Sequence, residues 1–591
     1  MPSRHLRAPI AVALLTMLFP LGSTPAQPLE LTLRSRSAAS NGRFLIEHRD
    51  ERWEGARTAV IVCDMWDAHH CLNAVRREQQ LAPRVDRFLR SMRERGALIV
   101  HAPSSCMEPY ADHPARARAQ QAPRAANLPD EIGVWCYSIP SEEAGVYPLD
   151  QTDGGEDDDP AEHAKWHEQL ASLGRNPLAP WQRQIDAIGI DAERDAISDD
   201  GVEIWNLLEA HDIDQVMLLG VHTNMCVLGR PFGLRQMARN GKRVVLVRDL
   251  TDTMYNPQRW PYVSHFAGTD RIVEHIEKFV CPTITSDQVL GDREFRYAGD
   301  HRPHLVALVS EDEYETARTL PEFLNQELAS TFRTSIVFGR PDDPSDLAGW
   351  RELDRADVIV LSVRRRTPPV EQLDALRRAV ERGVPVVGIR TASHAFALRE
   401  GEPAEGRGVW PEFDHLVLGG NYHDHYGNRN PGDPPTILQV APEAIDHPLV
   451  AGLASDAWPT TSWLYKTGPL APGATLLMTG QVGEHLPEPL AWTYVNRWSG
   501  RVFYTSLGHP DDFDNANFRT LLRRAIVRTA GLEGDVELPI PGGVRTAAPP
   551  RIRGAEALSE APSEALREVR RRGRSSSHGG TEGSEGAEPP C

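Results

Sequence analysis

Short, almost wholly apolar runs alternate with amphipathic stretches along most of this chain. Residues 58–63, Thr-Ala-Val-Ile-Val-Cys, form the first such run, and its unbroken apolar character predicts a strand buried on both faces. Residues 81–95 follow, with apolar side chains at 81, 85, 88, 89 and 92 on one helical face, and Gly96 ends the pattern. Residues 97–100 predict the next strand. The series resumes with a helix at 202–210, a strand at 215–219, a helix at 226–240, a strand at 243–247 and a helix at 262–279. A second series predicts strands at 305–309, 358–361 and 384–389 and helices at 314–328, 371–382 and 518–530. Such alternation implies parallel sheets covered on both sides. The expected fold class is therefore α/β, with two three-layer αβα domains, each built on a mostly parallel sheet.

The segments outside these series have their own character. Residues 104–181 are rich in Pro, Ala and charge and include Asp153-Gly-Gly-Glu-Asp-Asp-Asp159. A loop of that length inside a compact domain is functional or disordered. The acidic run lacks the ligand spacing of an EF-hand, so a solvated acidic loop is expected, with the insertion as a lid. At the start, Arg4 and Arg7 precede an apolar run at 8–21 and small residues up to Ala26. This pattern predicts a secretory signal cut after Ala26 and a secreted or periplasmic protein. After residue 540 the chain turns to Gly, Pro, Ser, Arg and Glu, a composition that cannot bury enough apolar area to order itself. The expected plan is a signal at 1–26, a first domain at 27–297 with its insertion at 104–181, a second at 302–533, and a disordered tail at 540–591.

Composition narrows the function classes. The 591 residues carry 64 Lys and Arg against 83 Asp and Glu, a formal charge of −19, which argues against a nucleic-acid partner. No segment after the signal is apolar enough to span a membrane. Seven cysteines are too few for a disulfide scaffold, although Cys71, Cys106 and Cys136 lie in loop-like surroundings where pairing is open to them.

Two residues stand where chemistry is expected. Asp64 directly follows the first buried strand, and Cys226 follows the strand at 215–219. In open parallel sheets ligands bind outside the carboxyl ends of the strands, so both residues face one edge. A cysteine in the first turn of a helix gains thiolate character from the helix dipole, and a nearby carboxylate can take its proton. Backbone N–H groups of Met225 and Cys226 are placed to stabilise an oxyanion.

Val62-Cys-Asp-Met65 after a strand, with Gly220-Val-His-Thr-Asn-Met-Cys-Val227, resembles the isochorismatase-like cysteine hydrolases over about residues 56–290. The resemblance implies hydrolysis of an amide-type bond in a small molecule, with Asp64 as general base, Cys226 as nucleophile and a cis Val221–His222 peptide shaping the oxyanion hole. It implies a catalytic lysine as well, and the matching stretch at 187–198 has none. Arg194 is the nearest cation there, and Lys165 is the alternative from the insertion. Arginine does not release its proton, so Arg194 would orient Asp64 or stabilise charge. Trp66 is expected as a pocket wall. His69, His70 and His101 form no complete ligand set, so no metal and no cofactor is assigned.

Val387-Gly-Ile-Arg-Thr-Ala-Ser-His-Ala-Phe396, Gly419-Gly-Asn-Tyr-His-Asp-His-Tyr-Gly427 and Leu507-Gly-His-Pro-Asp-Asp-Phe513 resemble ThuA-like domains of the class I glutamine amidotransferase-like type, over about 302–533. No cysteine occupies the turn at 392–394, so an active amidotransferase is not expected. His394, His423, His425 and His509 are candidates for lining a polar, carbohydrate-binding cleft. Two readings follow: an exported cysteine hydrolase acting on a small amide, or a catalytically silent binder of carbohydrate or another ligand working through the second domain. The oligomeric state stays open.

Overall fold

The computed structural model describes residues 28–532 apart from 429 and 454–457. The expected signal and tail lie outside the described residues. Two sheets organise the molecule. The first contains β1 (Leu29–Ala38), β2 (Phe44–Trp53), β3 (Thr58–Cys63), β4 (Leu98–Ala102), β5 (Ala196–Ile197), β6 (Gln215–Val221), β7 (Arg243–Asp252) and β8 (Thr283–Ile284), in the order β2-β1-β8-β7-β6-β3-β4-β5. From β8 to β5 every pair is parallel, whereas β1 joins β8 and β2 antiparallel. Every residue of β3 and β6 is buried, as the apolar runs required.

The second sheet contains β9 (His304–Ser310), β10 (Arg333–Phe338), β11 (Val358–Val363), β12 (Val386–Ile389), β14 (Thr436–Val440), β15 (Trp458–Thr460), β17 (Thr475–Val482), β18 (Glu488–Val495) and β19 (Arg501–Thr505). The short pair β13 (Asp424–His425) and β16 (Tyr465–Lys466) stands apart from it. The order is β10-β9-β11-β12-β19-β18-β17-β14-β15, parallel through the first five strands and antiparallel beyond β19. Both domains are thus mixed α/β.

The hairpin β1–β2 was not expected from the sequence pattern. Leu29, Leu31 and Leu33 alternate toward the first domain's core beside Trp53 and Val60. The same hairpin reaches the second domain, where Leu45 joins the core with Leu320 and Phe323. Arg34 lies 3.4 Å and His48 3.0 Å from the Glu352 carboxylate. Arg340 pairs with Glu47 at 2.7 Å, and Arg351 with Asp50 at 2.6 Å.

The helix expected at 81–95 runs over Leu72–Glu94. Its early start has a local cause: Asp158, from the insertion, accepts the Leu72 and Asn73 N–H groups at 2.8 and 2.7 Å. The acidic run is therefore not a solvated loop. Asp157 pairs with Arg77 at 2.8 Å, and Asp158 with His163 at 2.9 Å. Cys71, Cys106 and Cys136 are free buried thiols, so the pairing open to them in sequence is not made. Cys71 Sγ instead donates toward Asp157 and Asp158. Among the described residues no helix is long and apolar enough to cross a membrane.

Candidate functional site

The first site grows from the register of two strands. Cys63 of β3 stands opposite Gly220 of β6. Gly220 has φ +107°, and a Cβ there would lie 2.0 Å from the Cys63 carbonyl oxygen, so only glycine lets the strands meet. Directly beyond this crossing the chain bends twice. Asp64 takes φ +48°, and the Val221–His222 peptide is cis, as the resemblance implied. A wide helical turn, Thr223–Val227, then carries Cys226. It replaces the front of the helix expected at 226–240, which the structure confines to Leu234–Arg239.

Asp64 is fully buried, and its carboxylate is held from two sides. The Ser104 N–H donates to Oδ1 at 2.7 Å, and Arg230 Nε lies 3.2 Å from Oδ2. Burial raises the Asp64 pKa above the ordinary carboxylate value, while Arg230 and Ser104 oppose that rise. Arg230 donates its backbone N–H to the Cys226 carbonyl at 3.0 Å, and its guanidinium lies 5.3 Å from the Trp135 ring. The cation of this site thus comes from one turn beyond Cys226. Arg194 stands elsewhere: its side chain is 60% exposed and pairs with Asp191 at 2.6 Å. Lys165 is exposed on the helix Pro160–Ser172. The signal for Arg230 was its position four residues after Cys226, on the same side of a helical turn.

Cys226 is fully buried. Around it the insertion forms a cover. Tyr147 donates its hydroxyl to the Asn224 carbonyl, and Trp135 packs against Gly229. Trp66, expected as a pocket wall, is buried and stacks on Trp181 with ring centroids 4.8 Å apart. His69 lies edge-on to His222 at 4.8 Å. Burial lowers both histidines, His222 to about 3, so both rings are neutral near pH 7. His101 belongs to a core network with Gln184 and Asp195. Cys71, Asp157 and Asp158 place ligand atoms close together, but Arg77 and the helix N-terminus already occupy those carboxylates.

The second domain bends its chain at the corresponding point. After β12, Arg390 takes φ +47° and starts the turn Arg390–His394. Its buried guanidinium sits 4.1 Å from the Tyr314 ring and 4.8 Å from that of Tyr465, and donates to the Ser506 carbonyl. Of the four histidines singled out in the sequence, His394 and His423 line one hollow. His425 lies tilted against Trp463 with ring centroids 4.5 Å apart, and His509 stands beside Thr461.

Residues 333–527 match the family model described as ThuA, trehalose utilisation. The chain carries a ThuA domain. Curated proteins provide no match to the sequence. Among solved structures, a ThuA-like protein from Parabacteroides merdae is 18% identical, with 42% of this chain and 96% of that one covered, at TM-score 0.31. A cysteine hydrolase from Pseudomonas syringae pv. phaseolicola is 15% identical, covering 41% and 94%, at TM-score 0.25. N-carbamoylsarcosine amidase from Thermoplasma acidophilum is 14% identical, covering 39% and 97%, at TM-score 0.21. The ThuA domain holds β10–β19, while Asp64, Cys226 and Arg230 all lie in the domain before it.

Proposed function

We propose that the first domain of an exported enzyme hydrolyses an amide-type C–N bond of a small molecule through a thioester on Cys226. The observation supporting this most is the buried Asp64 carboxylate, fixed by Arg230 and the Ser104 N–H at the strand edge that also carries the Cys226 turn. In the reduced protein Asp64 takes the Cys226 thiol proton. The thiolate attacks the carbonyl carbon, and N–H groups of the Cys226 turn receive the developing oxyanion. Asp64 returns the proton to the departing nitrogen, and the C–N bond breaks to leave a thioester. Asp64 then deprotonates a water, which attacks the thioester and frees the thiol.

Arg230 takes a different part from the family's lysine. A guanidinium keeps its proton, so Arg230 holds Asp64 in place and offsets its charge, and Asp64 alone moves protons. The test is an ammonia-release screen over small amides and carbamoyl compounds with thiol-reduced protein. Activity lost in Cys226→Ala and Asp64→Asn supports the reading. Activity retained by Cys226→Ala overturns it.

A second reading has a separate support. The ThuA domain presents a polar hollow walled by Tyr422 and His394, stacked at 4.4 Å, and a carbohydrate-binding role for it stands beside the hydrolase. Saturable binding of a neutral sugar by the Cys226→Ala protein would separate the two.

A further inference from the structure

The hollow in the ThuA domain encloses about 200 Å³ between the turn Arg390–His394, the turn Asp414–Leu418 and the loop through Tyr422. Its charged groups are unusually placed. Arg364 pairs with Glu313 and Arg366 with Asp312, but Arg365 between them has no carboxylate within ion-pair distance among the described residues. Arg365 donates Nη1 to the Ala397 carbonyl, and its buried Nε has no hydrogen-bond partner.

Asp414 faces the same space. It is 7% exposed, its Oδ2 accepts the Tyr422 N–H at 2.7 Å, and its buried Oδ1 has no partner. Gly420 keeps the space beside that oxygen clear, since a Cβ there would come within 2.7 Å of Oδ1. A buried carboxyl oxygen without a partner is costly unless a ligand completes it, and the half-buried Arg365 beside it offers a charge that no carboxylate meets. Ser393, His394 and Asn421 complete the polar wall, and Tyr422 provides an aromatic face.

We propose that this hollow binds a small hydroxycarboxylate, with its carboxylate on Arg365 and a hydroxyl on Asp414 Oδ1. The inference does not depend on Cys226 chemistry. It differs from the neutral-sugar reading in requiring a negative charge on the ligand.

Two features favour an anion. Burial raises the Asp414 pKa to about 7, against the single opposing Tyr422 N–H, so near neutrality this carboxyl is half protonated. With Asp414 protonated, Arg365 leaves the hollow positive. Burial and the nearby Arg365, Arg364 and Arg390 hold His394 well below the ordinary imidazole value, so it stays neutral. Ionisation of Asp414 above about pH 7 places a negative charge beside the ligand, and binding weakens there.

The test is calorimetric titration of the full-length protein with D-gluconate and with D-glucitol, its neutral counterpart. Gluconate is expected to bind at about pH 6 and to weaken severalfold by about pH 8, with glucitol binding at least about tenfold more weakly. Arg365→Gln should weaken gluconate by about tenfold or more. Asp414→Asn should keep the affinity and lose the pH dependence, which a merely structural Asp414 would not produce. His415 and His423 also line the hollow, so the pH series is repeated in His415→Gln and His423→Gln, where the dependence should persist. Equal binding of gluconate and glucitol, an unaltered affinity in a folded Arg365→Gln, or no gluconate binding at all overturns the proposal.

Discussion

Arg230 Nε lies 3.2 Å from Asp64 Oδ2, with the Arg230 side chain 4% exposed and that of Asp64 fully buried. The pair ties Asp64 to the turn that carries Cys226, because the Arg230 backbone N–H is bonded to the Cys226 carbonyl. Replacing Arg230 with Gln removes the charge that holds the Asp64 pKa down, and that pKa should rise further. If Asp64 is the base, the acid limb of the kcat/KM profile moves to higher pH. The exposed Arg194→Gln should leave the profile in place. A pH–rate series on the two variants checks this.

Gly220→Ala would place a methyl group 2.0 Å from the Cys63 carbonyl oxygen at a φ of +107°. The expected loss of stability is on the order of 3 kcal/mol, from overpacking and backbone strain together. Chemical denaturation of the variant measures it. Gly241→Ala, also at positive φ but with open space around its Cβ, isolates the strain and should cost less.

Asp195 offers a pH test away from the candidate site. Burial alone would raise its pKa, but hydrogen bonds from His101 and Arg93 outweigh it and bring the value to about 2. A carboxylate lowered on folding stabilises fully above its unfolded value, near 3.8, and that contribution fades as pH falls toward 2. Asp195→Asn should therefore be clearly less stable than wild type at neutral pH, with the gap narrowing over that acidic window. Urea melts at several pH values follow it.

Two carboxylates on the hairpin contacts should differ sharply. Glu352 is buried and takes Arg34, His48 and the Ser335 hydroxyl, so Glu352→Gln should cost about 2 kcal/mol through these weakened charge-assisted bonds, while Arg34 keeps Glu277 at 2.7 Å. Asp50 is exposed and its partner Arg351 partly so, and Asp50→Ala should cost less than about 1 kcal/mol. Thermal unfolding of both variants tests the contrast.

The parts of this molecule visible in its sequence were those with a strong local pattern. The apolar runs at 58–63 and 215–219 became β3 and β6, and their carboxyl ends brought Asp64 and Cys226 to one edge. Leu29, Leu31 and Leu33 also alternate, yet their polar neighbour Arg34 becomes meaningful only beside Glu277 and Glu352, more than 240 residues away. Arg230 is hard to read for a similar reason: its spacing of four residues from Cys226 is the one local mark, and its carboxylate partner lies 166 positions earlier. The acidic run at 153–159 misled in the opposite sense. Its charge suggested solvent, and the counter-charges Arg77 and His163 came from helices whose packing no composition reveals. The Asp414 hollow depends on a missing partner, which only the folded chain displays.

The hairpin β1–β2 has a consequence for how such a chain could arise. Its inner strand completes the first sheet, while its outer strand supplies core and counter-charge to the second domain. Splitting the gene between the two sheets would leave Glu352 buried without Arg34 or His48. The halves therefore cannot be exchanged as independent cassettes, and any recombination that swaps the ThuA domain must carry along, or rebuild, a strand pair encoded more than 250 residues upstream.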